Sequence, residues 1–195
     1  MKTKGQFILM NVTEFAEWLA AYKCTRTIKL IQQHHTFMPD YSCFKKDNHF
    51  SMLEGMKAYH RSRGFTDIAQ NITIFPDGIV AICRPISIAP AGIKGANANG
   101  ICIENVGNFD IGRDRMTDAQ KDAIVQVTAL LCKKFNLVPS VNSIVYHHWY
   151  DCNTGKRTDG YSGACKSCPG LNFFGGNAIE FAESIFIPMI KDTIG

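Results

Sequence analysis

Apolar positions along the chain recur at two spacings, and the changes from one to the other mark out the elements. Asn11-Val12-Thr13-Glu14 sets a capping side chain three positions before a carboxylate, and Phe15, Leu19 and Tyr22 then follow at helical spacing, which predicts a helix over about 11–22. From Thr27 to His34 the period shortens to two, placing Ile28, Leu30, Gln32 and His34 on one face of a strand that ends at His34. Phe50, Leu53, Met56 and Tyr59 predict a helix over 49–63, stopped by Gly64. Strands near 69–75 and 78–84 flank Pro76-Asp77-Gly78 and read as a hairpin. The glycines and prolines of 85–100 predict a loop, and Gly100 to Val106 then forms a strand in which Glu104 shares a face with Cys102. Thr117-Asp118-Ala119-Gln120 reads as a capping box opening a helix through Ile124, Val127, Leu130, Leu131 and Phe135. A short strand at 143–148 carries His147 and His148, a Gly- and Ser-rich loop spans 152–170, and a last helix fills about 176–192. The order α, β, α, β-β, β, α, β, α, without internal repeats, predicts an α/β fold with a mixed central β-sheet flanked by helices.

At 195 residues the chain is expected to be one domain, 1–195, and its 46% hydrophobic content excludes disorder as the main state. Twenty-one basic against 17 acidic residues leave a net charge of +4, with no run of five basic residues. This excludes nucleic acid as the expected partner while still favouring encounter with polyanionic surfaces. The apolar run Phe7-Ile8-Leu9-Met10 is too short for a membrane span or a convincing signal peptide, so synthesis in the cytoplasm is expected.

Three places offer chemistry: His34-His35 ending one strand, His147-His148 ending another, and Lys166-Ser167-Cys168-Pro169 in a late loop. Imidazole and thiolate are preferred zinc ligands, and a catalytic zinc takes three of them while leaving a fourth position for water. Two histidines and one cysteine meet that count. Cys152, Cys165 and Cys168 with a histidine meet the count of a closed structural site equally well. Cys152 and Cys165 also fit plain loop thiols or a disulfide formed in an oxidising exterior. Cys83, Cys102 and Cys132 lie in apolar periodic segments and read as buried free thiols. His49 near a helix start and His60 near a helix end read as structural, interacting with the helix dipole when protonated.

Four strings then stand in order: Gln33-His34-His35-Thr36, Thr66-Asp67-Ile68-Ala69-Gln70-Asn71 leading to Pro76-Asp77-Gly78, Ile101-Cys102-Ile103-Glu104-Asn105, and Lys166-Ser167-Cys168-Pro169-Gly170. Together they resemble the zinc-dependent N-acetylmuramoyl-L-alanine amidases of type 2, a family that includes peptidoglycan recognition proteins and small phage amidases. The similarity runs from about residue 25 to 176 and is greatest to amidases of Gram-positive spore-formers and their phages.

The resemblance implies the type 2 amidase fold and one zinc ion per chain, held by His34, His147 and Cys168. Cys152 and Cys165 match no ligand of the family, which disfavours the structural zinc. Glu104 matches the catalytic acidic residue and Lys166 the catalytic lysine. Gln70 stands where many relatives carry a tyrosine near the zinc; its amide can donate a hydrogen bond to a substrate carbonyl but offers no phenol as acid. Asn97 and Asn99, in the loop of 85–100, are expected to line the groove for glycan or peptide. The implied reaction is hydrolysis, by zinc-activated water, of the amide between N-acetylmuramic acid and the L-alanine of the stem peptide. The protein is then a monomer acting on peptidoglycan in the wall after release or export, as an endolysin or autolysin. A non-catalytic peptidoglycan-binding module of the same fold is the alternative. A zinc peptidase of the His-Glu-x-x-His type is excluded because that motif is absent, and Cys168 outside a helix N-terminus is a poor nucleophile.

Overall fold

The computed structural model describes residues 1–158, 160 and 165–195; part of the loop expected over 152–170 therefore lies outside the described residues. Among the described residues seven strands form one sheet in the order β1-β2-β5-β4-β6-β3-β7. They are β1 (Lys2–Lys4), β2 (Phe7–Met10), β3 (Leu30–His35), β4 (Ile72–Ile74), β5 (Val80–Ile82), β6 (Gly100–Asn105) and β7 (Ile144–Tyr146). β1, β2, β5 and β4 pair antiparallel, whereas β4, β6, β3 and β7 run parallel. The mixed sheet is as expected, with one addition: the N-terminal hairpin β1–β2. β1 is exposed throughout and β2 is buried on both faces, so neither shows the half-buried alternation by which a strand is read.

Helix α1 (Val12–Ala21) opens with the complete capping box expected at Asn11 and Glu14. Helix α2 is His49–Ser62 and α3 is Asp118–Lys134. Thr117 caps α3 by accepting from the Gln120 amide, but the Gln120 side chain does not complete the box. Fully buried, it turns inward, donates to the carbonyls of Ile74 and Val106 at 3.0 and 2.9 Å, and so ties the ends of β4 and β6 to the helix. The last helix starts later than expected, as α4 (Ile179–Phe181), widens into a π-helical stretch at Ala182–Phe186 and continues as α5 (Ile187–Ile194). Pro188 has no amide hydrogen for the preceding turn, and the backbone widens just before it.

Odd and even strand positions separate two cores. Ile31, Ile72, Ile74, Val80, Ile82, Ile101 and Ile103 face α1, α3 and α5 in the larger core. Phe7, Leu9, Ala81, Cys83 and Val106 face Met52, Leu53 and Met56 of α2 in the smaller one. The residues of this second core lie on or beside β2, β5, β4 and the end of β6. On the same face, β6 and β3 present Cys102 and Glu104 beside Gln32 and His34, a polar strip that the helix does not cover.

Candidate metal centre

His34 lies at the end of β3, directly opposite Glu104 in the parallel register of β3 and β6. Both side chains point to the strip beside α2, because residues two apart on a strand share a face. His35 points the other way, where its Nδ1 accepts from the Phe109 amide at 3.1 Å. His147 arrives differently from the expectation. The strand ends at Tyr146, and His147–Trp149 form a 3-10 turn, so His147 and His148 are separated by a turn and not by a pleat. His147 swings to His34, ring centroid to ring centroid 4.8 Å, while His148 fastens the late loop through its amide to the Cys168 carbonyl at 2.7 Å.

Cys168 is buried, and its Sγ accepts from the His35 amide at 3.4 Å. Its loop is held on both sides: Ser167 donates to Asp110 at 3.0 Å, and Asn177 donates to the Ser167 carbonyl at 2.7 Å. Gly170, at φ +106°, lies so close to Phe109 that a Cβ would meet its carbonyl at 2.6 Å. These contacts bring the ligand atoms of His34, His147 and Cys168 within 4.8 Å of one another. A tetrahedral zinc with ordinary Zn–N and Zn–S bonds needs its ligand atoms about 3.3–3.6 Å apart, so small side-chain rotations suffice.

The donor chemistry also fits. Burial, then the His147 and His35 charges, hold the His34 pKa well below the ordinary value, and burial with Lys166 and His35 lowers that of His147 to about 4. Both imidazoles are therefore neutral at neutral pH, the form that offers a lone pair to a metal. Burial pushes the Cys168 thiol well above its usual pKa, which a divalent cation among these ligands reverses by favouring the thiolate. The residues present thus fit zinc, with three protein donors and one open position.

Glu104 stands beside this triad, Oε1 3.8 Å from His34 Nδ1. Its Oε2 is buried without a hydrogen-bond partner, and burial lifts the carboxyl pKa to about 8. A buried carboxylate is costly unless a cation faces it, so the unpartnered oxygen itself points to a positive charge in this site. Lys166 is exposed, yet its charge adds to burial in lowering the His147 pKa and partly opposes the burial that raises that of Cys168.

Of the three expected contact residues, Gln70 and Asn97 turn their side chains inward. Gln70 is fully buried, its amide nitrogen donating to Thr73 at 2.9 Å, so it faces the small core instead of an approaching ligand. Asn97 turns its Oδ1 to the Gly92 amide at 3.0 Å and braces its own loop. Asn99 holds the loop to the start of β3 through its carbonyl, which accepts from Lys29 at 2.9 Å. Cys152 is paired with Cys165 in a disulfide with a Cα–Cα distance of 5.9 Å, which removes both from any zinc site. His60 does not act on the helix dipole as a cation: its Nδ1 accepts from the Ala69 amide at 3.1 Å, and burial lowers its pKa. Cys83, Cys102 and Cys132 are buried free thiols, as expected. Cys102, however, also lies within 4.8 Å of His34 and Glu104, and with Gln32 it belongs to the site strip in a way that single-strand patterning did not single out.

The fold agrees with comparison to known proteins. Residues 24–171 match the family model described as N-acetylmuramoyl-L-alanine amidase. No curated protein sequence gives a match. Among solved structures, the chain is similar to the N-acetylmuramoyl-L-alanine amidase LysC from Clostridium intestinale, with a TM-score of 0.57 and 22% identity over 76% of this chain and 80% of that one. It is also similar to Drosophila PGRP-SA, with a TM-score of 0.63 and 22% identity over 85% and 83% of the two chains. Drosophila PGRP-LB gives a TM-score of 0.62 and 18% identity over 84% of each chain. The fold is that of type 2 amidases and peptidoglycan recognition proteins. The chain belongs to the N-acetylmuramoyl-L-alanine amidase family and is a peptidoglycan amidase.

Proposed function

We propose that the protein cuts the amide between N-acetylmuramic acid and L-alanine with one zinc ion held by His34, His147 and Cys168. The observation that carries this reading is the convergence of these three neutral donors on one point, with the unpartnered Glu104 carboxyl beside them. Zinc there supplies a Lewis acid for the carbonyl and lowers the pKa of water toward about 7. Glu104 takes a proton from the attacking water and returns it to the departing alanine nitrogen. The Lys166 ammonium, reaching over His147 and Cys168, offsets charge developing on the carbonyl oxygen. Glu104 and His147, half-buried where Gln32, His34 and Cys102 are buried, give the muramyl peptide its approach, since α2 does not cover that part of the face.

A structure of a Drosophila PGRP-LB point mutant is a complex with tracheal cytotoxin, which supports muramyl peptide as the ligand class here. The single domain 1–195 acts as a monomer in this reading. A binding-only role is disfavoured because all three donors, the carboxyl and the lysine are present together. Digestion of purified peptidoglycan tests the assignment: new alanine amino termini are expected, with reducing sugar ends at background. Another residue as the main new amino terminus would overturn it.

A further inference from the structure

The hydrogen bonds of Gln32 fix a proton on His34. Gln32 lies two residues before His34 on the same face of β3 and is fully buried. Its amide has one possible orientation. The nitrogen Nε2 faces the Ala96 carbonyl at 3.0 Å, which can only accept, and the oxygen Oε1 faces the Ile93 amide at 3.1 Å, which can only donate. The same Oε1 lies 3.3 Å from His34 Nε2. Two lone pairs at that distance repel, so Nε2 must carry the imidazole proton and Nδ1 must carry the lone pair. Nδ1 is the nitrogen on the Glu104 side of the ring, 3.8 Å from Oε1.

The loop of 85–99 is shaped to make this contact. A Cβ on Gly92 would sit 2.3 Å from Gln32 Oε1 and 3.1 Å from His34 Nε2, so only glycine lets the loop close over the pair. We propose that Gln32 is a positioning residue that holds His34 as the Nε2–H tautomer and presents Nδ1 to the metal. This rests on the zinc reading above. A neutral amide here orients the ligand without adding a second buried carboxylate next to Glu104, where the two would repel.

The test begins with the unaltered protein: nitrogen-15 spectra of the histidines in the metal-free chain should show His34 protonated at Nε2. A proton at Nδ1 overturns the proposal. Zinc affinity by chelator competition then separates orientation from loop bracing. Q32L removes the acceptor and should weaken zinc about 10- to 100-fold, with mixed His34 tautomers. Q32E keeps an oxygen facing Nε2–H and should retain the Nε2–H tautomer in the nitrogen-15 spectra; loss of that tautomer would overturn the proposal. S87A loosens the start of the loop, where the Ser87 hydroxyl accepts from Tyr22 at 3.0 Å without a hydrogen bond to Gln32 or His34, and should leave zinc affinity within about threefold of the original. Equal losses in Q32L and S87A, or full affinity in Q32L, would overturn the assignment. These readouts do not depend on which bond is cut, so a failure of the alanine-terminus assay alone would leave the positioning role standing.

Discussion

His34 and Glu104 face each other across parallel strands, Cα partners in register, with Nδ1 and Oε1 3.8 Å apart. The proposed zinc ligand and the proposed base are thus set by one backbone pairing. Side chains at the ends of adjacent parallel strands have little freedom to separate, so placing the His34 imidazole also places the Glu104 carboxyl.

The first expectation concerns the metal. X-ray absorption should find one zinc with two nitrogen ligands and one sulfur. Three sulfurs would support a structural site. Removal by a chelator should abolish activity while circular dichroism retains the helical signal, because two apolar cores hold the sheet independently of the ion. Global unfolding on chelation would contradict a purely catalytic centre.

Glu104→Gln keeps the shape and removes the base. The variant should bind zinc normally and lose a factor of about 10² to 10⁴ in kcat, which steady-state rates on purified peptidoglycan would measure. Lys166→Ala should lose about 10² in kcat, since the exposed ammonium acts through charge alone. A zinc-loaded Glu104→Gln enzyme with ordinary turnover would remove this residue from the mechanism.

Gly92→Ala introduces a methyl where Gln32 Oε1 would lie 2.3 Å and Cys102 Sγ 2.8 Å away. The loop must lift, taking the Gln32 contact with it. Zinc affinity should fall along with activity, whereas Gly55→Ala in α2, with open space around its Cβ and an ordinary helical backbone, should leave affinity intact. Equal effects from the two substitutions would mean that the close approach at Gly92 is unimportant.

Acid should destabilise the protein partly through His60. Burial and the Arg84 charge hold its pKa below the ordinary 6.5, and its Nδ1 accepts from the Ala69 amide as the neutral ring. The unfolded chain therefore takes up this proton first on acidification. The stability from neutral His60 is fully present above the unfolded pKa and is lost as pH falls from about 6.5 toward the lower folded value. His60→Gln can still accept from Ala69 and should show a smaller fall in Tm between about pH 7.5 and about pH 5.5 than the original protein. Identical falls would refute this contribution.

The sequence by itself determined the features that depend on neighbours along the chain. Period-two alternation put Gln32 with His34 and Cys102 with Glu104, because successive side chains of a strand must point to opposite faces. The Asn11 and Thr117 caps followed from the side chains that satisfy free helix amides. Resemblance of four strings added the candidates His147, Cys168 and Lys166. Tertiary structure decided what local pattern does not encode. Parallel pairing of β3 with β7 carries His147 to His34, and the anchored loop after the disulfide brings in Cys168. Burial turned Gln70 into a core residue, and loop closure turned Asn97 inward. The part of that sheet face that α2 does not cover likewise depends on where a helix docks, since the apolar alternation of β4, β5 and β6 gives no sign of which strands it will cover. Gln32 shows the division most clearly: its place on the strand face is written in the alternation, but its role arises only when Ile93 and Ala96, distant in the chain, fix which end of its amide meets His34.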